Sequence, residues 1–436
     1  MVHCLSRWPL ALVAGAALLS PGARAALSLD DALALAQQRS QQLVAQGAAV
    51  TAAREMSVAA GQLPDPTLKA GVNNLPVDGP DRLSLTRDFM TMRAIGVMQE
   101  LTRADKRQAR AARFEREAES AGAARALALA NLRRDTAMAW LDRHYLERMR
   151  ALLRSQRDEA ALQVEAAEAA YRGARGTQAD VFAARSAVAQ IDDRILQTEL
   201  QVATATTRLT RWVGDAAAQP LGDAPDQSTA RYADPGELQA GLAHHPELDL
   251  MVRQEAMAQA DADVARSAKR SDWSVELMYS QRGPAFSNMV SITFAVPLQW
   301  DQANRQDREV AAKTALVEQM RAQREEATRE HQAQTRTWVQ QWQSGRSRIA
   351  AYDGTLIPLA AERTRAALAA YRGGSGALAS VLEARRMEIE QRMERLRLEM
   401  ETAGWWAQLQ YLIPTEHERA APSPRSPIHT GPEATR

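Results

Sequence analysis

The chain has 436 residues, a formal net charge of +1, 25% charged residues and only 5% aromatic residues. Basic and acidic side chains are interleaved along it, which excludes nucleic acid as an expected partner. Its single cysteine, Cys4, lies within the first 25 residues, so the rest of the chain can form neither a disulfide nor a cysteine metal site.

Residues 1–25 have the pattern of a secretory signal peptide. Arg7 supplies positive charge, residues 10–19 form an apolar stretch, and residues 23–25 read Ala-Arg-Ala, an A-x-A cleavage site. The apolar stretch is shorter than the roughly 20 residues of a spanning helix, which disfavours the alternative of an uncleaved anchor. We therefore expect an exported protein that begins near Ala26 and carries no lipid.

Two short strands are predicted in the first half, after a helical segment. In residues 67–73 apolar side chains alternate with polar or small ones, and the alternation resumes in residues 91–99 after a loop rich in proline and glycine. No segment after residue 25 approaches 18 consecutive apolar residues, so a membrane location would require a β-barrel.

A very long helix is predicted at residues 104–172, which contain no proline and one glycine, Gly122. At 1.5 Å per residue it would run roughly 100 Å, more than the diameter of an ordinary domain. A second helix follows at residues 177–213 and ends before Gly214.

The same order of elements is predicted again after a linker at residues 215–235. A helix leads to strands at 273–281 and 289–297, and then to helices at 302–371 and 377–413. Gly345, Gly354 and Pro358 interrupt the pattern of the longer helix. The last residues, 415–436, contain four prolines and mixed charge, which predicts disorder.

An internal repeat with a spacing of 200 residues supports a duplication. Residues 170–185 read AYRGARGTQADVFAAR, and residues 370–385 read AYRGGSGALASVLEAR. The shared Tyr-Arg-Gly-x-x-Gly core is not explained by alanine content. Because glycine tolerates the left-handed conformation, we interpret residues 173–176 and 373–376 as tight turns between antiparallel helices.

The predicted organisation therefore has five parts. They are a signal peptide (1–25), a first structural repeat (26–214), an equatorial linker (215–235), a second structural repeat (236–414) and a disordered tail (415–436). The fold class is mainly α with a small β part and four strands per chain. Four strands with an apolar face cannot close a membrane barrel, which needs about eight or more, so we expect an oligomer.

The chain resembles the TolC family of outer-membrane efflux proteins. The resemblance covers the whole exported part: residues 29–36, residues 241–248 with His-Pro-Glu-Leu at 245–248, both strand pairs and both helical hairpins. The duplicated order of elements carries it, because each motif alone is weak.

This resemblance implies a homotrimer that forms a transmembrane β-barrel of about 12 strands continuous with a periplasmic α-barrel. It implies a location in the bacterial outer membrane, contact with outer-membrane lipid, and two protein partners: a periplasmic membrane-fusion adaptor and an inner-membrane pump of the resistance-nodulation-division (RND) type. The residues that correspond to adaptor-contact turns are Tyr171, Arg172, Gly173, Gly176, Tyr371, Arg372, Gly373 and Gly376. Closure of the turns by glycine is the alternative explanation of the motif.

Many members of this family narrow the periplasmic mouth with acidic residues, where a symmetric ring of like charges would attract cations. The candidates for such an aperture here are Asp180, Ser380 and Glu383, of which only two are acidic. The alternative is that these charges belong to a solvated helix face.

Within the family, the stretch of residues 63–100, from Leu63-Pro64-Asp65-Pro66 to Gly96-Val97-Met98-Gln99-Glu100, looks most like the outer-membrane components of heavy-metal RND efflux systems (CusC/CzcC-like). The predicted cargo is therefore heavy-metal cations. Met90, Met92 and Met98 lie in this region, but methionine in strands is usually a packing residue, so we assign no metal ligands.

No catalytic residue and no cofactor are predicted, because the sequence has no nucleophile, zinc or phosphate-binding motif. The pair His244-His245 precedes Pro246 and is better explained by entry into a helix. Two alternatives to a metal-efflux channel stay open: an exported coiled-coil structural or adhesin-like protein, and a TolC-type channel for drug or protein export.

Overall fold

A computed structural model describes residues 26–234, 236, 241 and 244–415. The predicted signal peptide (1–25) and residues 416–436 of the predicted tail lie outside the described residues. Eight α-helices within them are α1 (Leu29–Arg39), α2 (Gln41–Ala60), α3 (Ala104–Arg172), α4 (Gln178–Val213), α5 (Pro246–Ser267), α6 (Gln306–Ala351), α7 (Ile357–Arg372) and α8 (Leu378–Gln410). The strands are β1 (Thr67–Asn73), β2 (Met92–Leu101), β3 (Trp273–Gln281) and β4 (Met289–Ala295).

The helical segment that opens the first half is two helices and not one. The Ser28 hydroxyl accepts a hydrogen bond from the Asp31 N–H and begins α1, and the Ser40 hydroxyl accepts one from Leu43 at 3.3 Å and begins α2. An extended residue at Ser40 separates them, since an N-cap residue lies outside helical geometry.

The long helix α3 has the predicted bounds and is continuous over 69 residues, roughly 100 Å. Its neighbours are α1, α2, α4, α5 and α8, so it holds the two halves of the chain together. None of the described helices contains an apolar stretch sufficient to cross a membrane.

The corresponding helix of the second half differs from the prediction for residues 302–371. It begins at Gln306, because the Gln302 carbonyl accepts hydrogen bonds from Arg305 and Asp307 and closes a turn there. A π-helical segment at Tyr352–Leu356 then divides it into α6 and α7. Pro358 has no N–H and stands at the start of α7, which explains why α-helical hydrogen bonding fails just before it.

The four strands form one antiparallel sheet in the order β1-β2-β3-β4. The central pairing, between β2 and β3, joins the two halves of the chain, with Gln99 opposite Val275 and Ile95 opposite Tyr279. The predicted mainly helical fold with four strands is therefore confirmed. β2 runs two residues beyond the predicted 91–99, and β4 ends two residues before the predicted 297.

The largest buried cluster lies where the two halves meet the segment between them. Trp140, Leu209, Trp342 and Trp406 pack in it with small and aliphatic side chains. The intervening segment begins with a short 3-10 helix at Gly214–Ala218 and lies against this cluster. Its carbonyl at Thr229 accepts a hydrogen bond from the Trp406 indole at 2.9 Å, which fixes the segment to α8.

Candidate functional site

The two predicted turns lie at the same end of the helical region. A buried cluster of Ala167, Val181 and Ala184 from the first hairpin with Leu378 and Val381 from the second joins them. Because both hairpins contribute to this one small core, the two turns form a single four-helix tip. The structure thus brings together the two groups of residues that the sequence placed 200 positions apart.

The first turn is closed by a polar capping box. Ala174 has a left-handed φ of 59°, and the Arg175 N–H donates to the Ala170 carbonyl at 2.8 Å. The Thr177 hydroxyl accepts a hydrogen bond from the Asp180 N–H at 3.2 Å, while the Asp180 carboxylate accepts one from the Thr177 N–H at 2.9 Å. These bonds satisfy N–H groups that a helix start otherwise leaves without partners.

The second turn reaches the same shape without a side-chain cap. Gly374 takes the left-handed conformation, with a φ of 74°. The N–H groups of Ser375 and Gly376 both donate to the Ala370 carbonyl at 3.0 Å. Ala377, at the N-cap of α8, has no side chain that could accept a hydrogen bond.

The expected role of the motif glycines needs a correction. Gly173 and Gly373 have ordinary φ values of −85° and −78°, so neither is the left-handed residue of its turn. Glycine is required instead at the second glycine of each motif, Gly176 or Gly376, because another part of the turn packs closely against it. A Cβ at Gly176 would lie 3.2 Å from the Cβ of Ala170, and one at Gly376 would lie 3.0 Å from the Cβ of Ala370.

The aromatic and basic residues of the two turns differ in exposure. Tyr171 is 49% exposed, whereas Tyr371 is half-buried against the small core of the tip. Arg172 and Arg372 are both exposed at the ends of their helices. The tip therefore presents two guanidinium groups and one largely free tyrosine to any partner that meets this end.

The predicted aperture residues are not equivalent in the structure. Asp180 belongs to the capping box, and its hydrogen bonds from the backbone N–H and then the hydroxyl of Thr177 lower the pKa of its carboxyl. Ser380 stands at the corresponding position of the second hairpin and is exposed. Glu383 lies one turn further along α8, exposed and paired with Arg386 at 3.1 Å. Each carboxylate thus has its own local partner.

A groove between α4 and α8 is a feature that the sequence did not predict. It consists of two cavities that share Arg194: Met149 of α3 and Met393 of α8 line one, and Ala160 of α3 and Arg386 of α8 line the other. The two predicted hairpins placed α4 against α3 and α8 against the helix that precedes it, within separate halves of the chain. The sequence could not show that α4 and α8 leave a gap between them, because that depends on how the helices cross.

The second candidate surface is one face of the sheet. Cross-strand rows of apolar side chains run over all four strands: Leu68, Val97, Leu277 and Ile292 form one row, and Ala70, Ile95, Tyr279 and Val290 form the next. Except for Ala70, these side chains are between 44% and 69% exposed. A contiguous exposed apolar surface of this kind marks contact with a membrane or another protein.

The opposite face of the sheet carries mostly polar and small residues, together with Met98, Met278 and Met289. Lys69 and Glu276 form an ion pair at 2.5 Å across the sheet, and Gly96, Ser291 and Thr293 share their face. The side-chain period of two in a strand separates the two surfaces. The sheet is therefore suited to separate an apolar phase from a polar one.

No protein-family model and no curated protein matches the sequence of the chain. Several solved structures share its fold. They include the outer-membrane channel OprN (15% identity, TM-score 0.71, covering 88% of this chain and 89% of that one). The outer-membrane protein VceC of Vibrio cholerae also matches (18%, 0.73, 88% and 95%), as does CusC, described in connection with transmembrane channel formation (16%, 0.72, 90% and 93%). At these identities the likeness establishes the fold of outer-membrane channel proteins for this chain.

Proposed function

We propose that this chain is a TolC-family outer-membrane channel subunit that conducts cargo passively to the exterior and catalyses no reaction. One observation carries the proposal: a sheet with one exposed apolar face continues into a helix, α3, of roughly 100 Å. A membrane-embedded wall and a long soluble tube are what a conduit across the outer membrane and periplasm requires. The solved structures of this fold support it, since OprN and CusC are described as channels.

The proposal includes assembly of three copies. The sheet of one chain is open, with β1 and β4 at its edges, and an open edge cannot lie in lipid because its backbone groups have no partners there. Closing three sheets edge to edge gives about 12 strands, within the range of membrane barrels. The number three rests on the resemblance to the family.

The division of the chain follows from this assignment. We propose an exported protein whose signal peptide is residues 1–25, with repeats at 26–214 and 236–414, an equatorial linker at 215–235 and a tail at 415–436. In the duplicated arrangement each repeat supplies one strand pair and one hairpin.

The partners in the proposal are a periplasmic adaptor and an inner-membrane RND pump. The position of both turns at one end of the molecule supports an adaptor site there. Its contact residues would be Arg172, Arg372 and the exposed Tyr171, whereas Gly176 and Gly376 let the turns close. Glu383 and Asp180 would face the mouth of the assembled tube.

We propose heavy-metal cations as the cargo, with drugs or proteins as the alternative. The support is the likeness of residues 63–100 to heavy-metal components and the match to CusC among other channels. A scaffold or adhesin without a conducting role is less consistent with the sheet, because such a protein has no need of a two-faced strand array.

The test is the conductance of the purified protein in a planar lipid bilayer. We expect discrete steps, with altered cation selectivity in a variant that combines Asp180→Asn and Glu383→Gln. The matched control is Glu326→Gln, because Glu326 is an exposed carboxylate with an i,i+3 arginine partner, like Glu383, but lies on α6 away from the turns. Insertion without conductance under any applied voltage would overturn the channel assignment.

A further inference from the structure

Three side chains with metal-binding atoms meet where α5 begins against the middle of α6. They are His245, Glu247 and His331, and one nitrogen or carboxylate oxygen from each lies within 4.8 Å of the other two. No other group of three or more His, Cys, Asp or Glu residues this close occurs among the described residues. His331 is 86 positions from His245 in the sequence, so only the packing of α5 on α6 brings the group together.

The geometry of the group is defined by two helices. His245 is the N-cap residue of α5 and is only 5% exposed, and Pro246 fixes the first turn behind it. The His331 Nε2 lies 3.1 Å from a carboxylate oxygen of Glu247. The imidazole rings of His245 and His331 are 4.4 Å apart between centroids and tilted by 36°.

The charges of these three side chains suit the binding of a divalent cation. Burial, and then the neighbouring His331, lower the pKa of His245 to about 4, so its ring is neutral at physiological pH and offers a lone pair without losing a proton. Glu247 supplies the negative charge that a cation needs on burial. Two imidazoles and one carboxylate are a donor set that zinc prefers.

We propose that His245, Glu247 and His331 form a binding site for a divalent transition-metal ion, with zinc as the expected occupant and water as a fourth ligand. Tetrahedral zinc with bonds of about 2.0–2.1 Å places its ligand atoms roughly 3.3 Å apart. The pair formed by Glu247 and His331 already has this spacing, at 3.1 Å. The His245 nitrogen lies within 4.8 Å of both atoms and must move closer to complete the site.

Binding has one identifiable cost, which sets the expected affinity. The Nδ1 atom of His245 accepts a hydrogen bond from the Glu247 N–H at 3.3 Å, and coordination by either ring nitrogen gives this bond up. It is at the long end of hydrogen-bond distances, so the loss is small. We expect zinc to bind reversibly and to be removed by chelators. A structural zinc site, in contrast, retains its ion.

A bound ion would tie the start of α5 to the middle of α6. This role is that of a resident ion and is separate from any cargo, so the inference does not depend on the proposed function. A failure to bind zinc would leave the channel assignment intact, and a failure to conduct would leave the metal site intact.

Zinc binding to the purified, untagged, detergent-solubilised protein tests the inference, by isothermal titration with zinc chloride and by the absorption of cobalt(II) as a spectroscopic substitute. We expect one zinc ion per chain and a tetrahedral cobalt spectrum. In His331→Gln the affinity should fall at least about tenfold, equivalent to about 1.4 kcal/mol.

Two further variants separate ligation from folding. His245→Asn removes the imidazole but keeps an N-cap side chain, so α5 should form normally while zinc binding is lost. His244→Gln changes an exposed neighbouring histidine and should leave zinc binding unchanged. The inference is overturned if the unaltered protein binds no zinc, or if it binds zinc equally well after both His331→Gln and His245→Asn, since the ion would then sit elsewhere.

Discussion

The two turns at the helical tip have the same outline but are stabilised by different interactions. The first uses a capping box between Thr177 and Asp180 and places Ala174 in the left-handed conformation. The second has no side-chain cap and places a glycine, Gly374, at the left-handed position. Left-handed geometry costs an alanine more than a glycine, so the first turn depends on its cap and the second on its backbone.

The N-cap residues of the helices also differ between the two halves of the chain. Serine hydroxyls cap α1 and α2, and these do not titrate near neutral pH, whereas an imidazole, His245, caps α5. The long helices differ too, because α3 is continuous and its counterpart is interrupted at Tyr352–Leu356. A duplicated chain thus keeps the order and geometry of its elements while the local stabilising contacts diverge, and this difference can be tested.

The largest expected effect is on the pH dependence of stability, through His245, the N-cap residue of α5. The His245 pKa is about 4 in the folded chain against 6.5 in an unfolded one, so between these pH values only the unfolded chain binds the proton. Stability is therefore complete above pH 6.5 and is lost as the pH falls toward 4, by up to about 3 kcal/mol. The measurement is the thermal midpoint of the helical signal in circular dichroism against pH, with a chelator present to remove metal.

The variant His245→Asn provides the control for this prediction, because asparagine caps the helix without titrating in this range. Its thermal midpoint should fall less steeply over the same pH interval, although carboxylates elsewhere still contribute. An identical pH profile in the variant would show that the imidazole near Glu247 and His331 is not responsible.

The next effect concerns the glycine-dependent second turn. In Gly376→Ala the added Cβ must displace the Ala370 Cβ, 3.0 Å away, and the Tyr371 backbone nitrogen, 3.1 Å away. We expect a loss of roughly 1–3 kcal/mol from overpacking, and faster protease cleavage at the turn. Gly373→Ala is the matched control, since its Cβ meets no atom closer than 3.4 Å and its φ is ordinary. Equal protease resistance of the two variants would contradict the close-packing argument.

The smallest effect concerns the capping box of the first turn. Thr177→Ala removes the hydroxyl that holds the Asp180 N–H, and should cost about 1 kcal/mol. Transfer of the box to the second turn by Ala377→Thr with Ser380→Asp should instead raise stability, by roughly 0.5 kcal/mol. Protease resistance at each turn and the thermal midpoint measure both changes. If the transferred box has no effect, the glycines of the second turn already provide all the stabilisation that this geometry allows.

Much of the fold could be predicted because its elements are long and regular. The bounds of α3 followed from 69 residues without a proline, and the strand pairs followed from alternation that ends near Asn73 and Pro297. Within each half the order of helix, strands and hairpin needed no long-range information. The internal repeat, in which Tyr171 to Gly176 recur as Tyr371 to Gly376, then predicted that both turns lie at the same end of the hairpins.

The rest depended on contacts that no local pattern encodes. Conformation at the first turn was misassigned, because its left-handed residue is Ala174 and alanine gives no signal for it, whereas the second turn has a left-handed glycine, Gly374, as expected. The π-helical segment before Pro358 was visible only as an interruption. The meeting of His245 with His331 could not be predicted, since it requires the packing of α5 on α6 across 86 positions.

The pairing of β2 with β3 has a consequence for how the protein is made. Residues such as Met98 and Glu276 lie opposite each other, although 178 positions separate them in the chain. Helical hairpins rely on local contacts and form early, whereas contacts over such distances form late. During synthesis the first strand pair must therefore wait, with its apolar face uncovered, until the second half of the chain has left the ribosome. Protection of that waiting hairpin, by a chaperone or by delayed strand formation, becomes a requirement of biogenesis.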